Sequence, residues 1–97
     1  MKREYYVYIL TNTHHTVLYT GVTGSIAERI WQHKQGLNEG FTKKYNAHKL
    51  IYVESFDDVW QALEREKQLK KWTRKKKVGL INRLNPDWRD IYSEICR

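Results

Sequence analysis

The 97-residue sequence has one cysteine, one proline and five glycines. A single thiol, Cys96, excludes a disulfide framework and cannot supply a zinc–thiolate site. The four histidines, His14, His15, His33 and His48, show no metal-binding spacing such as H-E-x-x-H. The adjacent His14 and His15 read as polar turn residues. No apolar run approaches the ~20 residues of a membrane span, so no membrane partner is expected. The opening MKREYYVYIL is charged and lacks a small-residue cleavage site. A signal peptide is therefore not expected, and a cytoplasmic location is. With 40% hydrophobic and 30% charged residues, the composition suits a folded globule rather than a disordered tail.

What is present is positive charge. Eighteen Lys and Arg against eleven Asp and Glu leave +7, with an aromatic share of 13%. That combination points to a polyanion partner, most often nucleic acid; solubility alone is the plain alternative. The length fits a single domain over residues 1–97. Such a chain buries only about 60–65% of its unfolded surface.

The charge is local. Residues 65–83 hold nine basic residues and one acidic, a net +8, so the rest of the chain carries −1. A solvated helix face usually mixes both signs, so phosphate-backbone contact is the better reading. The expected contacts are Lys67, Lys70, Lys71, Arg74, Lys75, Lys76 and Lys77. They would set affinity and salt sensitivity without reading sequence. Trp31, Trp60, Trp72 and Trp88 read first as core and helix-junction packing, with base stacking as the alternative.

Residues 5–10, rich in aromatic and β-branched side chains, predict a strand. A polar turn over 11–16 and a second strand over 17–22 complete an antiparallel hairpin. Alternation puts Tyr8 and Tyr19 on faces that can coincide. Ser25 followed by Glu28 reads as a capping box opening a helix whose apolar stripe is Ile26, Ile30, His33 and Leu37, with Gly36 as its stop. Residues 50–56 predict a third strand. Helices follow from Val59 to about Lys71 and from the cap Thr73 to Leu84, ended by Asn85-Pro86. The expected fold is α/β (α+β): a small three-stranded antiparallel sheet flanked by helices, in the order β-β-α-β-α-α.

Charged groups interrupt the apolar stripes. Glu66 lies between Leu63 and Leu69, near the middle of its helix's apolar arc. An ionised carboxylate there costs several kcal/mol unless it is paired or holds a metal. Pairing with Arg29 or a lysine, as a brace, is the structural alternative. His33 sits on the first helix's apolar stripe with Arg29 one turn before it. Arginine suits phosphate through its bidentate fork. One carboxylate suits Mg²⁺ when water and substrate phosphate complete the shell. Tyrosine or histidine can take a proton from attacking water. Together these parts describe phosphodiester hydrolysis.

Tyr6-Val7-Tyr8 followed by Tyr19-Thr20-Gly21 resembles the paired strand motifs of the GIY-YIG nuclease superfamily. The first motif keeps its tyrosine without the glycine, and Thr20 stands in place of isoleucine. Arg29 and His33 match the family's helix spacing. Ala62 to Trp72, with Asn85-Pro86-Asp87-Trp88, resembles the small stand-alone bacterial branch related to the amino-terminal nuclease domain of an excision-repair protein. The resemblance implies an endonuclease acting on DNA with Mg²⁺ (or Mn²⁺), in DNA repair or recombination. It assigns Tyr8 and Tyr19 as active-site tyrosines, with Tyr19 favoured as proton acceptor. Arg29 would hold the scissile phosphate, His33 would assist proton transfer, and Glu66 would ligate the metal. Val22 stands where some relatives carry lysine, and Asn82 and Asn85 are both candidates for the closing asparagine. RNA remains open as substrate, and specificity is expected from substrate shape or a protein partner. The alternative is a non-catalytic nucleic-acid-binding module on the same fold. A weaker option is a protein-interaction domain whose basic face meets an acidic partner.

Overall fold

A computed structural model describes residues 3–37 and 40–95; Cys96, invoked above, lies outside them. Strands β1 (Tyr5–Thr11) and β2 (Leu18–Thr23) form the expected hairpin. Helices α1 (Ile26–Lys34) and α2 (Phe41–Lys44) lead to β3 (Lys49–Phe56). The chain continues through α3 (Val59–Lys71), α4 (Arg74–Leu84) and α5 (Tyr92–Ile95). The sheet is antiparallel in the order β2-β1-β3. The expected α+β architecture holds, with the short α2 and α5 added to it.

Alternation along β1 sends Tyr8 and Leu10 to one face of the sheet, and Val7 and Ile9 to the other. The first face is covered by Ile26 and Ile30 of α1 together with Leu50, Ala47 and Ile91. The second carries α3 and α4 through Ala62, Leu69 and Ile81. A bulge between Ile9 and Leu10 pairs Ile9 with Tyr52 and Leu10 with Leu50. The extra residue lets Ile51 and Tyr52 both join Ile9 on the second face, while Leu50 stays with Leu10 on the first.

The helix ends are set by local chemistry. Asp58 accepts from the Trp60 N–H, and Thr73 from the Lys76 N–H, capping α3 and α4. Ser25 does precede α1, but the expected capping box is absent. Its backbone is at φ −138°, ψ 78°, its side chain makes no cap bond, and its N–H donates instead to Thr23 Oγ1. At the other end Gly36 adopts φ +69°, which glycine tolerates best. Its N–H meets the His33 carbonyl, and the Leu37 N–H meets that of Gln32, satisfying two terminal carbonyls of α1. Leu37 falls beyond the helix and is exposed, so the stripe ends at His33.

Two tryptophans depart from expectation. Trp31 and Trp60 are 49% and 72% exposed, on the outer faces of α1 and α3, so neither is core. Trp72 and Trp88 do pack at junctions. Trp72 lies against the cluster of Val7, Ala62 and Leu69, and Trp88 lies against His15 with ring centroids 4.9 Å apart.

Candidate active site

The hairpin register pairs Tyr8 with Gly21 and Leu10 with Tyr19. Tyr8 and Tyr19 therefore share a face, their ring centroids 6.4 Å apart. The Tyr8 ring crosses Gly21 closely. A Cβ built there would lie 2.5 Å from both Tyr8 Cζ and the hydroxyl oxygen, so only glycine leaves the ring its place. His33, on the inward stripe of α1, completes the group at 5.9 Å from the Tyr8 ring and 5.7 Å from that of Tyr19.

Hydrogen bonds fix the geometry. The Tyr8 hydroxyl and His33 Nε2 are 3.1 Å apart. His33 Nδ1 lies 3.2 Å from Thr42 Oγ1, a buried hydroxyl on α2. Thr42 is the component that the sequence reading missed. It lies in a four-residue helix without periodicity, and nothing in its spacing connects it to His33. Burial pushes the Tyr8 phenol well above its usual range, reinforced by Tyr19 and Glu66 and opposed by Arg29. Burial, then the Arg29 charge, push His33 below its usual value, so its imidazole is neutral at pH 7.

The charges of Arg29 on α1 and Glu66 on α3 thus pull the Tyr8 phenol in opposite directions. Arg29 is exposed beside a polar groove of about 320 Å³ that it lines with Thr23, Ser25 and Gln32. Glu66 is held on the sheet side of α3 by its neighbour. Arg65 donates to both carboxylate oxygens of Glu54 on β3, from Nε at 3.1 and 3.2 Å and from Nη2 at 2.9 Å. This two-point grip fixes the rotation of α3. Glu66 keeps 17% side-chain exposure and pairs with Lys70 Nζ at 3.2 Å, the lysine alternative weighed above. Lys70 is 53% exposed, and exposed ion pairs are weak enough for a competing cation to displace them.

Among the described residues no three His, Cys, Asp or Glu side chains gather around a common point. The described residues therefore offer no fully protein-ligated zinc or calcium cage. A magnesium ion that keeps most of its waters and takes one carboxylate does, with Glu66 as that carboxylate.

The basic residues divide. Lys67, Lys71 and Lys75 project from α3 and α4, whereas Lys76 lies over the Trp72 ring, 4.6 Å from its centroid. Arg74 reaches the His15 and Thr16 carbonyls at 2.5 and 3.3 Å, tying α4 to the β1–β2 turn. Lys77 is half-buried; desolvation, then Arg74 and Lys70, push it down. Neither candidate asparagine joins the tyrosines. Asn85 is buried, donates to the Ile51 and Arg89 carbonyls and accepts from the Arg89 N–H. Asn82 accepts from the Trp88 indole.

No helix among the described residues is long and apolar enough to cross a membrane. The sequence profile of the GIY-YIG catalytic domain matches residues 4–79. A UPF0213 protein of Syntrophus aciditrophicus is 40% identical over 83 residues, spanning 84% of this chain and 93% of that one. One from Staphylococcus saprophyticus is 37% identical over 79 residues, spanning 81% and 95%. The solution NMR structure of a UPF0213 protein from Bacillus halodurans has the same fold, with TM-score 0.59 at 24% identity over 97% of this chain and 99% of that one. The chain belongs to the GIY-YIG catalytic-domain family.

Proposed function

We propose that the protein is a metal-dependent endonuclease that hydrolyses DNA phosphodiester bonds, with a role in repair or recombination. Family membership places it among endonuclease-type hydrolases that act on nucleic acid. One observation carries the finer reading: the rings of Tyr8, Tyr19 and His33 meet over one face of the sheet, and the charges of Arg29 on α1 and Glu66 on α3 both bear on the Tyr8 phenol.

The Arg29 guanidinium holds the scissile phosphate through its fork of donors. Tyr19 receives the proton of the attacking water, and its own proton passes to the Tyr8–His33 pair. Tyr8 is unsuited to be the primary base, because burial keeps its hydroxyl protonated. It donates to Nε2 of the neutral imidazole, and Nδ1–H then donates to Thr42 Oγ1. Thr42 thereby fixes the tautomer. A magnesium ion held by Glu66 would polarise a phosphoryl oxygen and stabilise the leaving oxyanion. Burial depresses Lys77 first and the neighbouring Arg74 and Lys70 charges add to it; an anion would relieve the second part, in keeping with a phosphate backbone along α3 and α4.

The test is a panel of labelled duplex, nicked, flapped and branched DNAs with Mg²⁺ or Mn²⁺, run beside Glu66→Ala. Cleavage by the wild type and its loss in the variant are expected; undiminished cleavage by Glu66→Ala sinks the assignment. The second reading, a binding module without chemistry, draws on the Glu66–Lys70 pair. It predicts salt-sensitive binding without turnover, unchanged by Tyr19→Phe.

A further inference from the structure

The α4 segment carries a concavity that the hydrolytic cluster does not use. It has a volume of about 430 Å³, and its lining includes Trp72, Leu80 and Gly79, with Lys75, Lys76 and Arg83. It lies on the opposite side of the sheet from Tyr8, since Leu80 packs with the clusters of Ile9 and Val7. Among the described residues no carboxylate lines it. Lys75 and Arg83 make no ion pair among the described residues. An aromatic and aliphatic floor beside three cations matches one nucleotide: a flat base and the phosphates that flank it.

Gly79 supplies an independent observation. It sits inside α4, where glycine costs helix stability relative to alanine. Mid-helix glycines are commonly explained by a close neighbour, yet a Cβ at this position would meet nothing within 4 Å. No packing among the described residues requires it. What the missing side chain does leave is open floor in the concavity.

We propose that this concavity is a stacking subsite for one unpaired nucleotide of the nucleic-acid strand. The Lys76 ammonium lies over the Trp72 ring, 4.6 Å from its centroid. It swings off to an adjoining phosphate as the base takes its place on the Trp72–Leu80 floor over Gly79, with Lys75 and Arg83 at the other phosphate oxygens. A paired base cannot enter, because its faces are already stacked in the duplex. The occupant is therefore a tail, flap or gap rather than uninterrupted duplex. This rests on the nucleic-acid reading given above, which it narrows.

The test is fluorescence anisotropy of the whole chain in excess EDTA. The probes are a blunt duplex and the same duplex bearing an oligothymidine tail, with thymidine monophosphate as competitor. The wild type should favour the tailed probe roughly tenfold, within the range of stacking one base on an aromatic ring. Gly79→Gln fills the floor without changing charge and is a better helix former. It should erase that preference, leave blunt-duplex affinity unchanged and not lower the melting temperature. Arg83→Gln should flatten the log–log salt dependence on the tailed probe by roughly 0.7. Equal wild-type affinity for the two probes, or a preference intact in Gly79→Gln, overturns the proposal. Competition by the free mononucleotide as strong as by the tail overturns the strand as occupant. No metal is present, so a protein that fails to cut DNA can still pass, and a cutting enzyme can still fail.

Discussion

Gly21→Ala should be the most damaging single-methyl change in the hairpin. The new Cβ would sit 2.5 Å from the Tyr8 Cζ and hydroxyl, over an ångström inside carbon–carbon contact distance. Tyr8 is only 2% exposed and packs with Leu10 and Ile30, so its ring cannot swing aside freely. Overpacking costs about 1–3 kcal/mol, and loss of the hydrogen bond to His33 adds about 1. A total near 3 kcal/mol lowers the melting temperature of a domain this size by about 12–24 °C. Denaturant unfolding of a double-mutant cycle isolates the cause. Tyr8→Leu lacks the three atoms that crowd position 21, so adding Gly21→Ala to it should cost almost nothing. The coupling energy should exceed about 2 kcal/mol. An equal penalty in both backgrounds would refute the steric argument and point to backbone strain instead.

Three further outcomes follow from individual side chains. His33 has a folded pKa below the unfolded value of 6.5, so its contribution to stability is present above that pH and lost as pH falls through the folded value. Urea unfolding between pH 5 and 8 should show stability dropping below about 6.5, with a shallower drop in His33→Gln. Asn85→Ala should cost about 2–4 kcal/mol, because the Ile51 carbonyl and the Arg89 N–H lose their partner. Any cleavage per folded molecule should be unchanged, and a selective loss of turnover would make Asn85 the closing asparagine after all. Thr20→Val should raise stability by about 1 kcal/mol in thermal melts, since the Thr20 hydroxyl is buried with no partner among the described residues.

The strands and the two long helices were legible because their signals are local and repeated. Aromatic and β-branched runs marked β1 and β3, and the Asp58 and Thr73 caps opened α3 and α4 where expected. The Ser25-x-x-Glu28 pattern misled because Thr23, two residues earlier, captures the Ser25 N–H and the serine side chain makes no cap bond. The four-residue α2 and α5 are too short to show a period. Trp31 and Trp60 are not core because each lies off its helix's buried stripe, a matter of helical angle that a tryptophan's size does not reveal. In the candidate site, His33 and Glu66 stood out as polar groups on apolar arcs. Thr42 offered no such contrast, since a threonine between Phe41 and Lys43 is ordinary until the fold brings α1 beside it.

The spread of these residues along the chain imposes an order on biosynthesis. Tyr8, Tyr19, Arg29 and His33 all lie within the first 33 residues, whereas Glu66 follows 33 positions after His33. At ribosomal rates of about 5–20 residues per second, roughly 2–7 s separate the two. During that interval a nascent hairpin with α1 has a guanidinium and phenols but not the α3 carboxylate. Under the proposed mechanism, hydrolytic competence would be withheld until α3 docks on β1 and β2, and a chain stalled before α3 would leave the nucleic acid around it intact.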